Sequence, residues 1–323
     1  MAHHWLLLQE KINLIKNKIP KKAANFFIVG IVFLFFLFIL YKEKDSLLSV
    51  KITVTLDLII EVIGLYLVIV LLSAFVWAKV LNHISRPLPF LFHLRVYCIT
   101  ALGKRIPGTI WYIPWRYRSY ANVGISQSEV IAASGLEFFI SLISGFIISI
   151  IFGFEFVIKN QLSLLLLLIP VSIIFLLFNI RFRSFLRNKY NIDLKKINFL
   201  YMAFLTILFM LIWVAVGIFI FLISRLIIGL NFSHISLFIG AVAFTGVLSR
   251  IIVFLPTNFG LSEISMSLLL SSIMPMSFSI TIALLNRILT TIFEIILAVI
   301  FLITGNSEHN PKGLLNLFKK NGQ

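Results

Sequence analysis

Gly103-Lys104-Arg105-Ile106-Pro107-Gly108-Thr109-Ile110-Trp111-Tyr112-Ile113-Pro114-Trp115-Arg116-Tyr117-Arg118 interrupts a chain that is otherwise built largely of apolar runs. Two prolines and two glycines in this stretch break a helix, and its aromatics suit a membrane interface. The apolar segment before it, Leu88–Leu102, is shorter than the roughly 20 residues a helix needs to cross a bilayer. The spacing therefore predicts a hairpin that enters the membrane and turns back. Broken backbone at membrane depth survives only where protein or a water-filled cavity covers it. The break thus predicts a cavity.

The composition agrees. Of 323 residues, 60% are hydrophobic and only 12% charged, and the mean hydropathy is +1.06. A soluble domain carries about 25% charged residues. The net charge of +16 does not point to nucleic acid, because Lys and Arg gather in loops between apolar runs, where they mark the cytoplasmic side. One cysteine, Cys98, excludes an intrachain disulfide and leaves no cysteine-based metal site. His3, His4, His83, His93, His234 and His309 lack metal-ligand spacing and read as surface or interfacial residues.

Seven runs are long enough to span: Ala23–Tyr41, Leu58–Val80, Val130–Phe156, Leu162–Ile180, Ile197–Ile223, Ile235–Leu255 and Ile280–Ile303. Leu261–Met274 is a second short segment. The expected fold is all-α, a polytopic transmembrane bundle of about seven to eight spans with re-entrant or broken helices. A basic amino-terminal arm (1–22) precedes one membrane domain (23–304), and a basic tail (305–323) follows it. The first run has no small-residue cleavage site after it and reads as a retained signal anchor. The basic loops place both termini on the cytoplasmic side of the cell membrane, and Arg86, Arg118 and the loop from Arg181 to Lys196 with them. Since Arg86 and Arg118 share a side, the segment between them cannot cross once.

The carboxyl half repeats the interruption. Phe254-Leu255-Pro256-Thr257-Asn258-Phe259-Gly260-Leu261-Ser262-Glu263 cuts a second apolar stretch. Interrupted short helices in both halves are the usual pointer to a transporter-type binding site. Gly124-Ile125-Ser126 and Gly260-Leu261-Ser262, each followed by a glutamate (Glu129, Glu263), read as a trace of internal duplication. The helix breaks are assigned to Pro107, Gly108, Pro256 and Gly260.

Five ionisable residues lie within or beside the apolar runs: Glu137, Arg250, Glu263, Arg287 and Glu294. A lone charge at the bilayer centre costs ~2.5–3.5 kcal/mol on insertion scales, so such residues face a protein interior or a wet cavity. Arg250 and Arg287 are candidates for holding an anionic phosphate, because the guanidinium fork binds two oxygens. Arg287 and Glu294 are seven residues apart and share a helix face. Glu137 can pair with an arginine or meet an amino or hydroxyl group of a ligand. The plainer alternative is that these charges pair with one another and pin the helices. Under the first reading, Arg287→Ala and Glu137→Ala stop transport and leave the protein folded.

Arg105, Arg116 and Arg118 read either as a cytoplasmic collar for anionic headgroups or as ordinary positive-inside residues. Trp111, Tyr112, Trp115 and Tyr117 read as interface anchors. Asp57 and Glu61 read as a solvated rim, and Gly30, Gly64, Gly145 and Gly217 as places of close helix contact.

Arg105-Ile106-Pro107-Gly108, Arg116, Gly124-Ile125-Ser126 and Glu137, then Pro256-Thr257-Asn258-Phe259-Gly260-Leu261-Ser262-Glu263 with Arg287 and Glu294, resemble the membrane domain of lysylphosphatidylglycerol synthetases and their stand-alone flippase-like relatives. The pattern runs over roughly Leu81 to Ile303. The resemblance implies a protein that moves a polar lipid (anionic, aminoacylated or glycosylated) between leaflets. The candidate substrate-binding residues are Arg105, Arg116, Glu137, Arg250, Glu263, Arg287 and Glu294; all but Arg250 also fall on the family pattern. The residues after Ile303 are too few for the soluble synthase domain, so lysyl-lipid synthesis is not expected of this chain. No hydrolase, metalloprotease or P-loop signature is present, and no catalytic residue and no cofactor is assigned. Membrane lipids are the expected partners, with a separate lipid synthase or glycosyltransferase, and a homo-oligomer stays open. The rival readings are a membrane-embedded lipid-modifying or glycosyl-transfer enzyme with Glu137 or Glu263 as base, and an accessory subunit of a lipid or cell-envelope glycan synthase.

Overall fold

A computed structural model describes Tyr41 and residues 55–104, 111–159, 198–228, 230–251 and 261–304. The spans expected at Ala23–Tyr41 (Tyr41 apart) and Leu162–Ile180, both terminal segments, Arg105, and the breaks at Pro107, Gly108, Pro256 and Gly260 lie outside these residues.

Among the described residues there are eight α-helices and no strand. They are α1 (Leu56–Ile84), α2 (Phe90–Ala101), α3 (Tyr112–Ala121), α4 (Gln127–Lys159), α5 (Phe199–Ile228), α6 (Ile235–Ile251), α7 (Leu261–Leu270) and α8 (Met276–Ile303). Five helical stretches, in α1, α4, α5, α6 with the turn before it, and α8, are long and apolar enough to cross a membrane. They coincide with the remaining five spans expected from the sequence. At ~1.5 Å per residue, α2, α3 and α7 reach only about half of a ~30 Å hydrocarbon layer.

Local sequence sets the ends. Pro89 and Pro275 precede α2 and α8, where a missing N–H costs nothing. Before α4, Gly124 takes φ +74°, a conformation that suits glycine. The Ser126 amide and hydroxyl then donate to Glu129 Oε2, both at 2.7 Å, and the Ser126 hydroxyl accepts from the Glu129 amide at 3.3 Å. This is a capping box. Inside the spans, Ser144, Ser149, Thr290 and Thr291 donate to carbonyls three or four residues earlier. Hydroxyls satisfied in this way cost little in hydrocarbon.

The helices form two half-units with the same plan, α1–α4 and α5–α8. Within each, the first helix packs on the second and fourth, the second on the third, and the third on the fourth. Across them, α2 lies against α8 as α6 lies against α4. The halves run in opposite directions. Tyr201, at the start of α5, donates to the carbonyl of Lys79, near the end of α1, at 2.8 Å and stacks on His83. Gly240, at the start of α6, meets Gly153, far along α4. The α2–α3 pair therefore enters the bundle from one end and the α6–α7 pair from the other, as two copies related by a two-fold across the bundle would. This inverted arrangement of discontinuous helices recurs in transporters.

The sequence trace of duplication was read from the wrong residues. Gly124-Ile125-Ser126 stands before α4, but Gly260-Leu261-Ser262 leads into α7, so the two fragments are not equivalent. Helix order carries the repeat.

Two larger apolar cores occupy opposite ends of the described bundle, and a smaller one (Ile148, Trp213, Ile239 and Ala243) joins α4, α5 and α6. One larger core joins Trp77, Leu81, Tyr120, Ile140 and Leu205 around α2–α3. The other joins Phe219, Phe238, Leu270 and Ile282 around α6–α7. Close helix contact occurs where small residues permit it, though not at every glycine expected. Gly145 receives the Trp213 indole and Gly217 lies on Ile239, but Gly64 faces open space. A Cβ at Gly240 would lie 2.6 Å from the Gly153 nitrogen and the Phe152 carbonyl carbon. Backbone cannot yield as a side chain can, so Gly240→Ala is expected to destabilise by about 1–3 kcal/mol or more. Gly64→Ala should be neutral or stabilising by up to ~1 kcal/mol. Thermal unfolding in detergent separates the two outcomes.

Candidate functional site

Between the two larger cores lies a cavity of about 510 Å³. Of the seven candidate residues, Glu137, Arg250, Glu263 and Arg287 line it together. Arg116 stands directly behind Glu137. Glu294 lines a separate side chamber of about 140 Å³, and Arg105 lies outside the described residues.

Two ion pairs follow the inverted plan with their signs exchanged. In the first half, Arg116 on the short helix α3 donates to Glu137 on α4 at 2.5 Å. In the second, Glu263 on the short helix α7 accepts from Arg287 on α8. Each pair ties a half-length helix to the long helix that follows it.

The pairs differ in setting. Arg116 is fully buried, with its guanidinium 3.8 Å from the centre of the Trp77 ring and 4.8 Å from that of Tyr112. Aromatic faces stabilise a desolvated cation. Arg116 is thus neither a cytoplasmic collar nor a snorkelling residue; it is a pillar of the chamber wall. The Arg287 side chain keeps 22% of its surface accessible and faces the cavity.

A buried hydrogen-bond chain holds the wall behind Arg116. Asn82 donates its Nδ2 to the Leu88 carbonyl at 3.2 Å, and its Oδ1 accepts from the Leu88 amide at 3.0 Å. That fixes the amide, so His93 Nε2, 2.9 Å from Oδ1, is the donor there. His93 Nδ1 then accepts from the Tyr120 hydroxyl at 2.7 Å, whose oxygen accepts from Trp77 Nε1 at 2.7 Å. His93 is fully buried, which corrects its expected surface role. Asp57, Glu61 and Arg118 are exposed.

Two further cations line the cavity outside the two ion pairs. Arg250 lies over the Trp213 ring at 4.6 Å and donates to the Gly246 carbonyl at 3.2 Å. Lys104 donates to the Tyr97 hydroxyl at 3.4 Å, with the Tyr97 and Tyr112 rings 4.9 and 5.3 Å away. Among the described residues neither has a carboxylate within ion-pair distance. Among the described residues of the two chambers and the wall behind them, four cations (Lys104, Arg116, Arg250 and Arg287) face three carboxylates (Glu137, Glu263 and Glu294).

Sequence reasoning missed Lys104, Tyr97 and Asn286, and assigned Tyr112 to the interface; all four line the cavity. Lys104 borders the helix break and Asn286 adjoins Arg287 within an apolar run. Both positions were visible signals. No family model, curated protein or solved structure matches this chain.

Proposed function

We propose that the protein is a flippase-like transporter that shelters the anionic headgroup of a membrane lipid in the central chamber while moving it between leaflets. The observation that carries this reading is the pair Lys104 and Arg250, cations in the cavity wall with no carboxylate partner among the described residues. Both are half-buried and share the cavity with Glu137, which Arg116 already engages, so a ligand phosphate would give them a counter-ion of their own. The cavity volume lies in the range of small-ligand sites, about 300–1,000 Å³. It suits a phosphate with a glycerol or sugar attached. The Asn286 amide, on the cavity wall, offers hydrogen bonds to such a group. The resemblance to flippase-like relatives of lysylphosphatidylglycerol synthetases points the same way, and the cell membrane with cytoplasmic termini is the setting this reading assumes.

The test is purified protein in liposomes carrying labelled phosphatidylglycerol in one leaflet. The expected result is accelerated movement to the other leaflet with no chemical change in the lipid. A new lipid product instead would indicate an enzyme. Neither movement nor product would indicate an accessory role.

A further inference from the structure

The central chamber can hold a headgroup but not two acyl chains, so a lipid bound there must leave the protein sideways. We infer that the seam between α1 and α8 is a lateral portal, through which the glycerol backbone and acyl chains of the passenger reach hydrocarbon. This inference rests on the flippase reading.

Three observations place the portal. First, the side chamber of about 140 Å³ lies between α1, α2 and α8 and shares Ser73, Tyr97, Lys104 and Thr290 with the central cavity. Its remaining lining from α1 and α8 is largely apolar: Tyr66, Ile69, Val70 and Leu297, with Glu294 the exception. The wall thus passes from polar to apolar along one route, as a lipid does from phosphate to chain.

Second, the inverted plan is broken at this seam. Its counterpart, between α4 and α5, is sealed: Trp213 fills the space over Gly145 and donates to the Ser141 carbonyl at 3.0 Å. The α1 and α8 backbones do not pack in that way. They meet through the Tyr66 and Phe293 rings, 4.7 Å between centres. Tyr66 also packs on Phe219, 5.7 Å between ring centres, so passage requires the Tyr66 and Phe293 side chains to turn aside from this seam, whereas the α4–α5 seam is closed by backbone-close packing.

Third, the outward faces of both helices carry exposed apolar side chains, among them Leu67, Val68 and Leu71 on α1 and Ile292 and Ile296 on α8. Acyl chains lying along these residues would meet apolar side chains.

The test uses Tyr66→Cys with Phe293→Cys in a Cys98→Ser background, bridged by a reducible bis-methanethiosulfonate. The expected result is a roughly tenfold or greater loss of phosphatidylglycerol movement on bridging, restored by reductant, because a closed gate blocks passage. Bridged protein should still bind glycerol 3-phosphate, since the chamber is untouched. Full lipid movement with the bridge in place overturns the portal while leaving the flippase reading intact. Loss of glycerol 3-phosphate binding on bridging also overturns it, because the effect then lies in the chamber. No lipid movement by unmodified protein defeats the flippase reading, and the portal falls with it. Val70→Trp, which fills the side chamber without chemistry, should reproduce the bridged result.

Discussion

Arg250→Ala is expected to slow lipid movement by about 10- to 100-fold. A charge-assisted hydrogen bond contributes ~1.5–3 kcal/mol, and about 1.4 kcal/mol is a factor of ten. The fold should be spared. Among the described residues Arg250 forms no ion pair, and Glu137, the carboxylate it shares the cavity with, keeps Arg116; removal leaves the Trp213 face and the Gly246 carbonyl without their guanidinium. Arg250→Lys keeps the charge but loses the planar fork and should fall between. Lys104→Ala should act in the same direction. Initial rates in proteoliposomes, with unfolding temperature as control, check both. Unchanged rates in Arg250→Ala and Lys104→Ala would remove the basis for an anion site.

Glu137→Ala is expected to behave differently. Its partner Arg116 is fully buried. Removing one member of a buried pair leaves the other charge uncompensated and costs ~3–5 kcal/mol. That is a large part of the 5–15 kcal/mol by which a typical domain is stable. The sequence-based expectation that this variant stays folded therefore does not survive the burial of Arg116, and its loss of transport would not identify a substrate contact. The double variant Arg116→Met/Glu137→Met removes both charges and should unfold at a higher temperature than Glu137→Ala alone. If Glu137→Ala melts like the unsubstituted protein, Arg116 is hydrated and its place as a pillar is wrong. Arg287→Ala, whose side chain is partly accessible and faces the cavity, should be milder in stability and severe in transport.

Much of the bundle was legible because apolar runs are constrained by bilayer thickness. Five expected spans fall on described helices, and the short segment Leu88–Leu102 is α2 within two residues at its start and one at its end. The short helices α2 and α7 were legible for the same reason, since ten or twelve residues cannot cross, but α3 was not: it lies in the stretch read as broken, with Pro114 in its first turn. The costly charges were legible too, and four of them share one chamber. What the sequence did not carry is who pairs with whom. Arg116 and Glu137 are 21 residues apart across a turn, and Glu263 and Arg287 are 24 apart. Nothing in spacing alone separates such a pair from a collar and a free carboxylate. Tyr112 and His93 were misplaced for a related reason. A tyrosine near a break and a histidine in a short helix look interfacial until a neighbouring helix covers them. The repeat was hidden because equivalent packing does not require equivalent residues. Even the two ion pairs exchange their signs between halves.

The central claim is that residues of both half-units face one hydrated chamber. In a Cys98→Ser background, single cysteines replace Ser249 and Asn286 in the chamber, and Ile288 and Ile295 on the exposed apolar face of α8. The measurement is their rate of reaction with a small charged thiol reagent in liposomes. The account predicts fast reaction at Ser249→Cys and Asn286→Cys, slowed by excess phosphatidylglycerol, and slow reaction at Ile288→Cys and Ile295→Cys. Equal and slow reaction at all four positions would contradict it.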